Sequence, residues 1–219
     1  MILAAGRGER LRPLTDTLPK PLVEAGGETL LGRHLRRLAE AGITEAVVNV
    51  SHLADAIVTR FGAGAHGVRI AWSRETEPLE TAGGIAQARA LLGEAPFLLV
   101  NADVWCDFDF SPLKDLRLAS RLAHLVLVPN PPWHPKGDFT LERGMIGNAG
   151  APRYTYAGIS VIAPLLVDGI AAGRKAPLAP LWRAAADRGE VSGELHRGAW
   201  SDVGTPGRLA ALREDLEAR

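Results

Sequence analysis

Residues 1–22, MILAAGRGERLRPLTDTLPKPL, decide how this chain is read. Met1–Ala5 is an apolar run without polar interruption, which predicts a buried parallel strand. The chain then turns at Gly6 and Gly8, where backbone N–H groups can face outward with no side chain over them. Arg7, Arg10 and Arg12 follow, and Lys20 stands between Pro19 and Pro21, which stiffen the backbone on both sides. Exposed amides and positioned cations in one loop fit a polyphosphate. The pattern is not a P-loop, since GxxxxGK[ST] is absent. Nor is it a dinucleotide fingerprint, since Leu11 occupies the third glycine position of GxGxxG. The plainer alternative, a tight turn beside a solvated lysine, leaves the clustering of cations in one proline-framed loop unexplained.

The rest of the composition narrows the setting. With 219 residues and 47% hydrophobic content the chain suits one folded α/β domain, residues 1–219. Twenty-five basic side chains balance 25 acidic ones, so no global basic field points to nucleic acid or to a membrane surface. Any anion site must be local. Cys106 is the single cysteine, which excludes an intrachain disulfide and a cysteine-based zinc cluster. No apolar run approaches the roughly 18–20 residues of a membrane span, and no charged segment with a cleavage site opens the chain. A cytoplasmic protein is expected.

Strand-like and helical patterns alternate through the first half. Leu30, Leu31, His34, Leu35, Leu38 and Ala41 recur at helical spacing before Gly42. Ala46–Val50, Val68–Trp72, Phe97–Val100 and His124–Val128 read as strands, and Leu53–Phe61 and Thr81–Leu92 as helices. That order predicts a mainly parallel sheet with helices on both faces. After the loop Pro129–Pro135 come short runs, Gly137–Leu141, Tyr154–Ile162, Val191–His196 and Ala199–Val203, with helices at Ala179–Arg188 and Thr205–Glu217. They predict a smaller β-rich lobe laid over the same sheet.

Two apolar strands end in aspartate. Phe97–Asp103 and Ala199–Asp202 each deliver a carboxylate at the carboxyl end of a strand, where open parallel sheets bind ligands. Such a pair suits Mg²⁺, which takes one or two protein carboxylates together with phosphate oxygens. Singly, Asp103 reads equally well as a turn residue and Asp202 as part of a helix start. Arg10 and Lys20 can stabilise charge on phosphates. Gly83 and Gly84, opening a helix after Pro78, can lie bare against a nucleobase or simply start the helix. In the second half, Asp138 is a candidate for sugar hydroxyls, Gly158 for close approach of a ring, and Glu194 with Arg197 for a shared cleft. For these the alternative is a half-buried strand with one solvated face. His34, His66, His124 and His134 lack metal-ligand spacing, and no nucleophile–histidine pairing suggests a covalent intermediate.

Taken together, the opening loop, EPLETAGGI (77–85), FLLVNADV (97–104), GDF (137–139), YAGISVI (156–162), VSGE (191–194) and WSDVGTPGRL (200–209) resemble the sugar-1-phosphate nucleotidyltransferases over nearly the whole chain. The resemblance implies a Rossmann-like three-layer α/β/α fold with a mainly parallel mixed sheet. It also implies a nucleotide-binding lobe over about residues 1–128, and a sugar-binding lobe with a C-terminal helix over about 129–219. It implies Mg²⁺ as cofactor on Asp103 and Asp202, and Ala5, Gly6, Gly8, Glu9, Arg10, Lys20, Gly83 and Ala102 around the nucleotide. Lys20 and Arg10 would be the catalytic cations, and Asp138, Gly158, Glu194 and Arg197 would meet the sugar.

Within the family the motifs look most like the uridylyltransferases of peptidoglycan recycling, which implies UTP and N-acetylmuramate 1-phosphate as small-molecule partners. The expected assembly is a monomer or small homo-oligomer. Mannose-1-phosphate guanylyltransferases are similar but typically carry glycine where Glu80 stands, and glucose-1-phosphate thymidylyl- or uridylyltransferases are a further alternative. Ala102 and Ala82 depart from glycines usual at those positions. A lactyl carboxylate on the sugar would call for a cation, first Arg197 and then Arg153 or Lys175. Rival classes are a non-catalytic nucleotide-sugar sensor and a glycosyltransferase. Both carboxylates and Lys20 are present, which speaks against the sensor, and the proline-framed lysine speaks against the glycosyltransferase.

Overall fold

A computed structural model describes residues 1–218. At its centre the strand Ile2–Leu3 lies between Glu45–Val50 and Phe97–Asn101, parallel to both, with Ile2 opposite Val48 and Val100. It is shorter than the Met1–Ala5 run predicts. The ladder stops because the Ala4 amide turns to the Asn49 side-chain oxygen, 2.8 Å away.

Ten strands form one mixed sheet. Outside Glu45–Val50 lie the parallel strand Val68–Arg74 and the short edge strand Gly64–Ala65. On the other side Arg153–Ile162 runs antiparallel to Phe97–Asn101, followed by Ala123–Val128 and Val191–Leu195. Met145–Gly147 and Phe139–Glu142 close that edge. The second half therefore extends the sheet sideways instead of lying over it. Residues 157–162 explain why: all are buried, which requires a strand covered on both faces.

Alternation along the strands divides the core between the two faces. Val48, Val50, Val100 and Val126 meet Leu31, Leu35, Ile57 and Phe61 of helices Leu30–Glu40 and Ala54–Phe61 on one side. Val47, Leu99, Leu125 and Leu127 meet Ile85, Trp182 and Ala185 of helices Glu80–Gln87 and Ala179–Asp187 on the other. The expected helix over Thr81–Leu92 is two, since Ala88 (ψ 0°) takes the chain out of Glu80–Gln87 before Arg89–Leu92. Thr29 caps Leu30–Glu40 by accepting the Gly32 amide at 3.1 Å.

A third apolar cluster bears on the site. Leu11, Val23, Leu30, Trp105, Val203, Leu209 and Leu212 pack together, tying the glycine loop to the C-terminal helix Pro206–Glu217. Leu11 is 1% exposed, so truncating it to alanine would cost about 2–5 kcal/mol and loosen that loop. Within the described residues no helix is long and apolar enough to cross a membrane.

Candidate active site

The carboxyl ends of Ile2–Leu3, Glu45–Val50 and Phe97–Asn101 open into a cavity of about 810 Å³. One wall is the loop after the first strand. Gly8 (φ +65°) turns that loop against Thr15 and Lys20, and a Cβ there would sit 2.9 Å from Thr15 Cγ2. The Thr15 hydroxyl donates to the Gly8 carbonyl at 2.9 Å. The amides of Gly6, Arg7 and Gly8 find no protein acceptor among the described residues. They stand in a turn that lines the cavity, the kind of backbone that can bind an anion.

Lys20 opens a short 3-10 turn, Lys20–Leu22, closed by hydrogen bonds from Leu22 N to Pro19 O (2.8 Å) and Val23 N to Lys20 O (3.0 Å). Its Nζ lies 2.6 Å from Asp103 Oδ2, with the lysine side chain 11% exposed and the aspartate 34%. Asp103 occupies the tight connection between Phe97–Asn101 and the strand Val104–Cys106, which the sequence pattern did not reveal. Val104–Cys106 pairs antiparallel with Trp200–Asp202, so Asp202 stands opposite Val104, and Val203 N donates to Asp103 O at 2.8 Å. The two strand-end aspartates are thus neighbours across a two-stranded ladder. Only Asp103 lines the cavity. The Asp202 carboxylate accepts from Arg208, whose guanidinium also lies 4.9 Å from the centre of the Trp133 ring.

A buried polar set forms another part of the wall. Asn49 Nδ2 donates to Glu75 Oε1 at 2.7 Å, and Leu79 N donates to Glu75 Oε2 at 3.0 Å. Burial pushes the Glu75 carboxyl above its ordinary pKa, and the two donors act in the opposite direction. Sequence reasoning missed Asn49 and Glu75. The available signal was a lone asparagine near the carboxyl end of an apolar parallel strand.

Of the residues expected around a nucleotide, Ala5, Gly6, Gly8, Glu9, Arg10, Lys20 and Ala102 line the cavity. Gly83 does not. Its amide donates to Ala176 O at 3.1 Å, and a Cβ on it would run into the 174–176 segment. Gly84 packs tightly as well, since a Cβ there would come within 2.8 Å of both Asn49 Nδ2 and Glu75 Oε1. These glycines let a helix approach its neighbours. Gly158 (φ +79°) serves packing likewise, because a Cβ would meet Val104 Cγ2 at 2.6 Å.

Asp138, Glu194 and Arg197 also lie off the cavity wall. Asp138 accepts from the Tyr156 amide at 2.8 Å and meets His134 at 3.0 Å, while Glu194 lies 3.2 Å from His124. Lys175, Glu77 and Glu80 line the cavity instead. Glu80 holds φ +61°, a conformation that glycine adopts without strain.

Mg²⁺ fits this donor set. Among the described residues no group of three or more His, Cys, Asp and Glu side chains could hold a metal alone. Asp103 at the cavity, with Asp202 next to it on the ladder but engaged by Arg208, is a sparse carboxylate set of the kind that suits an ion sharing its shell with phosphate oxygens.

Comparison with known proteins gives the family. The nucleotidyl transferase family model matches residues 1–139. The N-acetylmuramate alpha-1-phosphate uridylyltransferase of Neisseria meningitidis is 50% identical, covering 95% of this chain and 94% of that protein. The enzyme of the same name from Caulobacter vibrioides is 37% identical, over 100% of this chain and 97% of its own length. A Bacillus anthracis structure named for glucose-1-phosphate thymidylyltransferase, in complex with sucrose, superposes with a TM-score of 0.85 at 18% identity, covering 100% of this chain and 94% of that one. It supports the α/β fold alone. With the glycine turn, Lys20 and Asp103 gathered at one cavity, this chain belongs to the nucleotidyl transferase family, among its sugar-1-phosphate nucleotidyltransferases.

Proposed function

We propose that this protein transfers a uridylyl group from UTP to N-acetylmuramate 1-phosphate, releasing pyrophosphate. The observation that carries the reading is the Lys20–Asp103 pair, 2.6 Å apart beside the free amides of Gly6–Gly8. It occurs in a chain half identical, over nearly its full length, to an enzyme named for that reaction.

A phosphate oxygen of the sugar 1-phosphate attacks the α-phosphorus of UTP in line. The new P–O bond forms as the bond to the β-phosphate bridge oxygen breaks, and pyrophosphate leaves with that electron pair. No protein nucleophile is needed, so catalysis rests on positioning and on charge stabilisation. The amides of Gly6, Arg7 and Gly8 orient the triphosphate. Arg10 holds outer phosphate oxygens in its planar fork, and Lys20 offsets charge growing on the α-phosphate. Bound Mg²⁺ would act as Lewis acid and template for the phosphate oxygens, held by Asp103 and Asp202. Asp202 must leave Arg208 to take that part.

Arg7, Arg10, Lys20 and Asp103 all stand at the cavity, which favours an enzyme over a sensor that binds without turnover. The test is product analysis by mass spectrometry after incubation with UTP, N-acetylmuramate 1-phosphate and Mg²⁺. UDP-N-acetylmuramate should appear with equimolar pyrophosphate, and EDTA should abolish both. Saturable binding of UTP without either product would favour the sensor.

A further inference from the structure

The proposed sugar carries a lactyl carboxylate besides its phosphate, so its site must hold one more negative charge than a plain hexosamine 1-phosphate requires. The cavity wall is not hospitable to it, since Glu77 and Glu80 line it as well. A carboxylate placed near them without a counter-cation would be repelled. The cations Arg7, Arg10 and Lys20 all come from the glycine loop and its continuation, where the phosphates are expected.

Lys175 is the remaining cation of the wall, and it comes from the second half of the chain. It sits in the connection before helix Ala179–Asp187, strapped to helix Glu80–Gln87 by three backbone hydrogen bonds: Ala82 N and Gly83 N donate to Ala176 O (3.0 and 3.1 Å), and Ala176 N donates to Leu79 O (3.0 Å). The backbone that carries Lys175 is therefore fixed, while its ammonium has no protein partner among the described residues. The other cations suggested for this duty are placed otherwise. Arg153 donates to the carbonyls of Asn148 and Asp138, and Arg197 does not line the cavity.

We infer that Lys175 is the specificity residue for the sugar, pairing with the lactyl carboxylate and not with the phosphate. This rests on the uridylyltransferase reading above. Discrimination comes from charge matching: the carboxylate gains a partner, and a sugar lacking it leaves the ammonium solvated.

The test compares calorimetric Kd values of wild type, Lys175→Ala and Lys175→Arg for N-acetylmuramate 1-phosphate and N-acetylglucosamine 1-phosphate, which differ by the lactyl ether. Lys175→Ala should weaken the muramate by roughly tenfold to a hundredfold. The glucosamine should weaken by less than about threefold, and Lys175→Arg should restore most of the muramate affinity. Equal losses on both sugars would place Lys175 on a group common to them and overturn the inference. So would no loss on either, or a wild type that binds the two sugars equally. Failure of the parent reading shows separately, as wild-type protein that makes no UDP-N-acetylmuramate.

Discussion

Around Gly6–Lys20 the polar and charged groups face a cavity, whereas around Asp138 and Glu194 they face one another. In the first region three backbone amides are without protein acceptors among the described residues, and Arg7 and Arg10 line open space. In the second, Asp138 takes the Tyr156 amide and His134, its carbonyl accepts from Arg153 and Arg183, and Glu194 meets His124. Both regions looked polar and patterned in sequence. The difference is that a satisfied carboxylate holds strands together, while unsatisfied donors at a cavity wall await a ligand.

The sharpest way to break this comparison is Lys20→Ala. Removing a charge aimed at the transition state should lower kcat by about 10²–10³-fold with little change in the unfolding midpoint. Near-normal turnover would end the phosphate-loop account. Asp138→Ala tests the other region. It should cost about 1–3 kcal/mol in denaturant unfolding, because the Tyr156 amide loses its acceptor. An unchanged midpoint with a raised KM for the sugar phosphate would restore Asp138 to the binding site expected from sequence.

Glu80→Gly probes the cavity wall on a finer scale. Relief of φ +61° should hold or raise stability, by at most about 1 kcal/mol. Loss of the carboxylate should raise a substrate KM roughly twofold to tenfold, if the side chain accepts one ligand hydrogen bond. A lower midpoint with unaltered kinetics would make Glu80 a structural residue.

What could be read from sequence follows from how local each feature is. Gly6, Gly8 and Lys20 lie within one loop, so glycine turns and proline-framed charge mark a candidate phosphate site without knowledge of the fold. Strand ends place Asp103 at the cavity for the same reason. The Asn49–Glu75 pair was invisible because it depends on parallel register, which sets Asn49 opposite Ser73 and brings Glu75 alongside. Gly83 and Gly84 stayed open in sequence because bare backbone facing a ligand and bare backbone packed on a neighbouring segment or side chain look identical there. The arrangement at Asp202 was hidden too, since pairing of Trp200–Asp202 with Val104–Cys106 joins segments far apart in the chain. Lys175 stands out only once the strap to helix Glu80–Gln87 brings it to the wall.

The measurement that bears most directly on the account is pyrophosphate release with UTP, GTP, dTTP and CTP, each crossed with N-acetylmuramate, mannose and glucose 1-phosphates. The account predicts the highest kcat/KM for UTP with N-acetylmuramate 1-phosphate. A higher value for any other pair would contradict the proposed substrates, and no release from any pair would contradict the proposed reaction.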